Sequence, residues 1–325
     1  MTLQEVLETH RETAPNAVAL VARGDDVEFA SVGGETRESV FLIASLTKPI
    51  IAAATTLLVR DGKIALDDPI ANWLPELAHP VVVRTPDGDL DDVVPATRPI
   101  TVRHLQASRS GWGFTADFFL PATKKLFEQA HLHGRADLPT PEEWLKQIAD
   151  VPLLHQPGEG WLYNTGSDVL GLLLHRATGS LPDFLAERFY APLGMTNTSF
   201  ISDTLPSGAG GLKSTADDLL AFHRHLLTGD LLPELAVDTT SAAEREAAHI
   251  FLEGQGWGYG GSVDIAEIDP WNVPGRYGWV GGSGTAAHVV PSRNLITILL
   301  TRTAMTSPAP TAVMRDFWRT AMHTF

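Results

Sequence analysis

The chain has 325 residues, 44% of them hydrophobic, and its 39 acidic against 24 basic side chains give a formal net charge of -15. That length can bury a substantial core in one or two domains, and the acidic balance, which repels phosphate, weighs against nucleic-acid and membrane-surface partners. The absence of cysteine excludes disulfide scaffolds, thiolate metal sites and cysteine nucleophiles, and fits a reducing compartment.

The N-terminal MTLQEVLETHRETAP reads as an amphipathic helix without the basic start and apolar run of a secretory signal. No apolar run approaches a membrane span, so a cytoplasmic location is the expectation. AVALVARG and VEFASVGG then predict two strands around a tight turn at Gly24, Asp25 and Asp26. ASLTKPIIAAATTLLVRDG predicts a helix from near Ser45 to just before Gly62, with Pro49 tolerated in its first turn. Ala, Leu and Ile occupy nearly every face of it, which predicts burial all round.

From about 66 to 225 helical periodicity dominates. PTPEEWLKQIADVPLL is one helix; SDVLGLLLHRATGSLPDFLAERFYAPLG is another, broken at Gly179–Ser180; STADDLLAFHRHLLTG is a third, with Ser214 and Thr215 as candidate N-caps. Strand patterns return in GQGWGYGGSVDI, RYGWVGGSGTAAHVV and NLITILLTR, followed by a helix near 310–323. Their short Gly- or Pro-containing turns favour antiparallel pairing. The pattern is α+β: an antiparallel sheet formed by both chain ends (1–65 and 226–325) and flanked by helices, with a mostly helical inserted part (66–225).

Three places could carry chemistry. Ser45 and Lys48, three residues apart, share a helical face. A serine hydroxyl needs a base, and a lysine serves once burial and the positive end of a helix disfavour its ammonium form. The same helix start offers the Ser45 N–H to an oxyanion. The spacing alone fits an N-cap serine with a solvated lysine better, but a buried Ala-rich helix is a poor place for an idle lysine. Tyr163 stands in a Gly/Asn-rich loop before an apolar helix, either as a proton-handling group beside Lys48 or as a ring packed at a helix entrance. The glycines after Trp279 and Val280 mark either a bulge or a strand that a ligand approaches closely.

Other chemistries lack their motifs. There is no GxSxG nucleophile elbow and no HExxH. His131 and His133, like His223 and His225, are two apart and do not share a helical face. They read as surface or core residues, and neither metal nor cofactor is expected.

Ser45-Leu46-Thr47-Lys48, Tyr163-Asn164 and Trp279-Val280-Gly281 follow one another in the order of three motifs. Together they resemble the serine β-lactamase and penicillin-binding protein superfamily. DGKIALDDPI, ITVRHLQASRSG, YNTGSDVLG, APLGMTNTSF, GAGGLKSTADDLLAF and GRYGWVGGSGT resemble its class C-related branch, which includes family VIII carboxylesterases. The resemblance runs from about residue 40 to 302. It implies a β-lactamase/transpeptidase-like fold, Ser45 as the acylated nucleophile, and Lys48 and Tyr163 as the groups that manage its proton. It further implies an oxyanion hole of the Ser45 and Gly282 N–H groups, with Asn164, Trp279, Gly281 and, less directly, Trp112 on the substrate side.

The departures from that pattern also inform. Asn164 follows Tyr163 directly, and Thr165 takes the usual Asn place. Trp279 and Val280 replace a cation and a hydroxyl that would grip a substrate carboxylate. The expected activity is therefore hydrolysis of a neutral, partly apolar small-molecule ester. A β-lactamase, an acyltransferase, an amide or D-amino-acid peptide hydrolase, and a non-catalytic penicillin-binding-like sensor stand as alternatives.

Overall fold

Two apolar strands with no polar face set the architecture. In the computed structural model, which describes residues 1–130, 132 and 138–324, Ala17–Arg23 (β1) is buried through Ala22 and Leu295–Thr301 (β12) is buried throughout. Side chains alternate across a strand, so such runs must be covered on both faces. β1 pairs antiparallel with β12 from Ala17↔Thr301 to Arg23↔Leu295. Asp26–Val32 (β2) folds back on β1 through a loop of Gly24 and Asp25.

The remaining strands are Phe41–Leu42 (β3), Val81–Val83 (β4), Val93–Pro95 (β5), Ser199–Phe200 (β6), Leu212–Ser214 (β7), Gly256–Trp257 (β8), Ser262–Val263 (β9), Tyr277–Gly281 (β10) and Thr285–Val290 (β11). The main sheet has seven strands in the order β2-β1-β12-β11-β10-β9-β8. Every neighbouring pair in it is antiparallel. The sheet is thus built from the two ends of the chain, as the sequence pattern implies.

Alternate residues of β1 face different layers. Ala17, Ala19 and Val21 meet the terminal helices Leu3–Thr9 and Ala312–Thr324 through Val6, Leu7, Met314 and Phe317. Val18, Leu20 and Ala22 join the larger core, with Ile50 and Ala53 of the helix Thr47–Arg60 and Leu219 and Phe222 of the helix Ala216–Thr228. The latter helix packs directly on β1, β11 and β12, so the boundary expected at 225 falls inside an element of the sheet layer.

Local signals act where the sequence placed them. Gly179 ends the helix Thr165–Thr178 in the left-handed conformation, and Ser180 caps the next one. Thr215 caps Ala216–Thr228, while Ser214 ends β7 and hydrogen-bonds Thr198. β3 pairs with β7, and β7 with β6. That small sheet ties the strand before Ser45 to the inserted part. No helix among the described residues is long and apolar enough to cross a membrane.

Candidate active site

Ser45 sits on a strained turn rather than in the regular α-helix expected there. A 3₁₀ turn, Ala44–Leu46, precedes the helix Thr47–Arg60, and Ala44 adopts φ +44°. A residue with a Cβ seldom occupies that region, and such strain persists only where the surroundings fix it. Thr47 fixes it here: its hydroxyl donates to the Ala44 carbonyl (2.7 Å) and accepts from the Leu212 N–H (3.2 Å).

Lys48 lies one turn on and is 1% exposed. Its Nζ is 3.0 Å from Ser45 Oγ, 3.0 Å from Asn164 Oδ1 and 2.7 Å from the Ala209 carbonyl oxygen. None of these partners carries charge. Burial pulls the ammonium pKa down to about 7, against the attraction of Asp168. A neutral amine keeps two N–H donors and one lone pair. With Asn164 and Ala209 taking the donors, the lone pair is left for the Ser45 hydroxyl.

Tyr163 enters from the other side of Ser45. Its backbone pairs with Phe114 in both directions (2.9 and 3.2 Å), which anchors the loop before the helix Thr165–Thr178. Its hydroxyl accepts the Trp279 indole N–H at 2.6 Å, and Tyr163 lines the same cavity as Ser45. Lys48 Nζ lies 4.6 Å from the ring centroid. Burial pushes the phenol up to about 12, while the neighbouring Ser45 hydroxyl and the Trp279 N–H pull it down. Near neutral pH it holds its proton. Asn164, at φ +79°, turns its amide oxygen to Lys48, so its first contact is with the candidate base.

The β10–β11 hairpin closes the site. A Cβ on Gly281 would lie 2.5 Å from the Ile43 carbonyl oxygen, so only glycine lets β10 approach the Ser45 turn. Gly281 therefore works through close packing, and Gly282, whose Cβ position meets no atom within 4 Å, fronts open space. Ser283 Oγ donates to the Leu42 carbonyl (2.6 Å) and Thr285 Oγ1 to that of Ile43 (3.1 Å). These bonds pin the Gly282 backbone beside Ser45, where N–H groups could hold an oxyanion.

All of this opens on a cavity of about 880 Å³ whose lining includes Ser45, Tyr163, Asn164, Trp279 and Gly282. Phe41, Phe114, Phe118, Phe251, Ile201 and Leu205 supply much of its apolar wall. Trp112 is a correction to the sequence reading. It is buried away from this lining, its indole N–H spent on the Val151 carbonyl (2.8 Å), and Phe114 fills the wall position instead.

Asp168 was not singled out by the sequence reading. It is buried, accepts from Ser207 Oγ (2.5 Å) and from the Ala209 N–H (3.1 Å), and so holds the loop whose carbonyl binds Lys48. Burial raises its pKa, against the bonds from Ser207 and the charge of Lys48. A Cβ on Gly208 would lie 2.2 Å from the Ser167 carbonyl oxygen, so that loop rests directly on the helix. An acid within the apolar SDVLGLLL was the available signal, by the same reasoning that singled out Lys48. His223 is a core residue bonded to the Leu219 carbonyl, its pKa lowered by burial to about 4. His131 and His133 lie outside the described residues. Among the described residues no group of three or more acidic or histidine side chains is placed to hold a metal ion.

The sequence profile of the family described as Beta-lactamase matches residues 3–316. Protein Rv1367c of Mycobacterium tuberculosis is 33% identical, over 81% of this chain and 77% of its own. Esterase EstB of Burkholderia gladioli is 29% identical, over 92% and 89%. The structure of EstCE1, titled a hydrolase with promiscuous acyltransferase activity, superposes with a TM-score of 0.80 at 22% identity, over 99% and 97%. At that identity the likeness establishes the fold alone, which is that of the β-lactamases and transpeptidases. The family match extends over nearly the whole chain, and so this protein belongs to the beta-lactamase family of serine hydrolases.

Proposed function

We propose that the protein is a carboxylesterase that works through an acyl-enzyme on Ser45. The observation that carries this reading is the contact of Lys48 Nζ with Ser45 Oγ at 3.0 Å, in a site where Lys48 has no charged hydrogen-bond partner and which opens on an apolar cavity. Neutral Lys48 takes the Ser45 proton as Oγ attacks the ester carbonyl. The N–H groups of Ser45 and Gly282 bind the oxyanion. Tyr163, kept protonated by burial and lining the cavity with Ser45, passes a proton to the leaving alcohol and then orients the water that deacylates Ser45.

Two features favour a neutral ester over a carboxylate-bearing lactam or peptide. Trp279 stands where the related pattern carries a cation, and its N–H is already given to Tyr163. Arg302, the one Lys or Arg in the described cavity lining, is held by both oxygens of Glu35 (2.6 and 3.0 Å).

The test is hydrolysis of a p-nitrophenyl ester series beside nitrocefin, with Ser45→Ala as the blank. Ester turnover lost in the variant, with little on nitrocefin, is the expected result. Strong nitrocefin turnover would overturn the neutral-ester reading. Failure of a serine-directed phosphonate to label Ser45, read by mass spectrometry, would point to a non-catalytic binding role.

A further inference from the structure

The cavity has two chemically different walls. Beside Tyr163 stands a cluster of phenylalanine rings: Phe251 lies 4.9 Å and Phe114 5.6 Å from the Tyr163 ring, centroid to centroid. Phe118 and Phe127 extend it, at 5.5 and 5.1 Å from Phe114. No side chain of these four carries a polar atom. Phe118 and Phe127 are only partly buried, so the cluster lines the cavity as well as filling the core. The second wall is mixed. It continues from Gly282 through Ser283, which bonds the Leu42 carbonyl, to Arg302, whose guanidinium stacks 4.6 Å over Phe41.

We propose that these walls divide the ester between them, the alcohol portion lying among the phenylalanine rings and the acyl portion along Gly282, Ser283 and residues 41–42. The substrates are then esters of bulky, apolar, ring-bearing alcohols. This rests on the hydrolase reading above and adds to it a direction for the bound substrate.

The direction follows from the proton. In acylation the bond from Ser45 Oγ to the carbonyl carbon forms, the bond from that carbon to the alcohol oxygen breaks, and the proton lost by Ser45 is matched by one delivered to the alcohol oxygen. Tyr163 is the donor placed to deliver it, and its own proton is made good from Lys48. The departing oxygen must therefore come within about 2.6–3.2 Å of the Tyr163 hydroxyl, and the group it carries meets the rings packed on Tyr163. The carbonyl oxygen lies between the N–H groups of Ser45 and Gly282, which leaves the acyl chain the wall that continues from Gly282. Water then replaces the alcohol at the same position, and hydrolysis releases the acid and restores Ser45.

Benzyl acetate and methyl phenylacetate test this, because they contain the same atoms with the ring on opposite sides of the ester. For the unmodified protein kcat/KM should favour benzyl acetate by roughly tenfold, the scale of a well-filled apolar pocket. Phe118→Ala should erase most of that preference through KM, with methyl phenylacetate changed less than about twofold, and Phe118→Leu should fall between. Phe118 packs on Phe114, Phe127 and Phe251, and the leucine variant preserves apolar volume if the alanine variant folds poorly. Preference for methyl phenylacetate, or equal losses on both isomers in the variants, would overturn the assignment while leaving the hydrolase reading standing. Absence of turnover on both, with no phosphonate label on Ser45, would overturn the hydrolase reading and this proposal with it.

Discussion

Lys48 and Arg276 are both buried to 1% exposure, yet their surroundings differ in the one respect that matters for a buried cation. Arg276 lies on the side of the sheet covered by the terminal helices, with its guanidinium 4.9 Å over the Trp318 ring and a carboxylate partner, Asp264, at 3.5 Å. Asp264 is in turn held by Gln255, Asn272 and the Val273 N–H. Lys48 has only neutral hydrogen-bond partners, and Asp168 acts on it as a more distant charge. Burial lowers the pKa of both cations, but Arg276 starts from a far higher value and keeps a bonded counter-charge, so it stays charged and serves the fold. Lys48, with only neutral bonded partners, is brought to about 7 and can act as a base. Burial alone thus does not mark a catalytic group. The charge state of its nearest partners does.

The comparison can be broken most sharply at Lys48 and Ser45. Lys48→Met and Ser45→Ala should each lower kcat by on the order of 10⁴-fold or more. Circular dichroism should remain native, and thermal stability of the Lys48→Met protein should hold or rise, because an apolar side chain replaces a desolvated amine. Tyr163→Phe, which keeps the ring and removes the proton donor, should cost about 10²–10⁴-fold in kcat. Stopped-flow measurement of alcohol release would place that loss in acylation.

On the other side of the sheet the effect should be on stability. Asp264→Asn leaves Arg276 buried without its counter-charge, and urea unfolding should show a loss of about 3–5 kcal/mol. A smaller loss there than in Lys48→Met would invert the contrast between the two cations.

The pH profile sharpens the contrast without a mutation. The Lys48 pKa is lowered, so the active, neutral form exists above about pH 7 and is lost as the amine takes up a proton below it. kcat/KM should therefore fall with falling pH through that region, approaching tenfold per pH unit. Tyr163, pushed up to about 12, keeps its proton across the same range, so no second limb is expected near neutrality. A flat profile between pH 5 and 8 would remove Lys48 as the base. The smallest effect is expected from Trp279→Phe, which deletes the 2.6 Å bond to the Tyr163 hydroxyl but keeps an aromatic wall. A loss of about tenfold in kcat with little change in KM would mark it as a positioning residue.

Much of this arrangement could be read before any coordinates. Continuous apolar runs and turn residues gave the strands at both chain ends, since β1 is apolar at each of its buried positions and β12 at all but Thr297 and Thr301. Lys48 stood out because three residues on a helix make neighbours and because its helix had no polar face to hold it. Asp168 was equally legible and was passed over. Trp112 was misplaced because composition says that a tryptophan is buried, not which cavity it borders or which carbonyl takes its N–H.

Local rules of helix, turn and cap act within a few residues, and the sequence by itself therefore determined the main helices, the strands at both chain ends and the three-residue spacing of Ser45 and Lys48. Tertiary structure decided what distant segments do to one another. Trp279 reaches Tyr163 across 116 residues, Ala209 reaches Lys48 across 161, and the β10–β11 hairpin is pinned to residues 42 and 43 by Ser283 and Thr285. Those contacts set which polar groups surround the buried amine, and through desolvation they set its pKa. No local pattern encodes that quantity, because it depends on water excluded by every segment packed around the site.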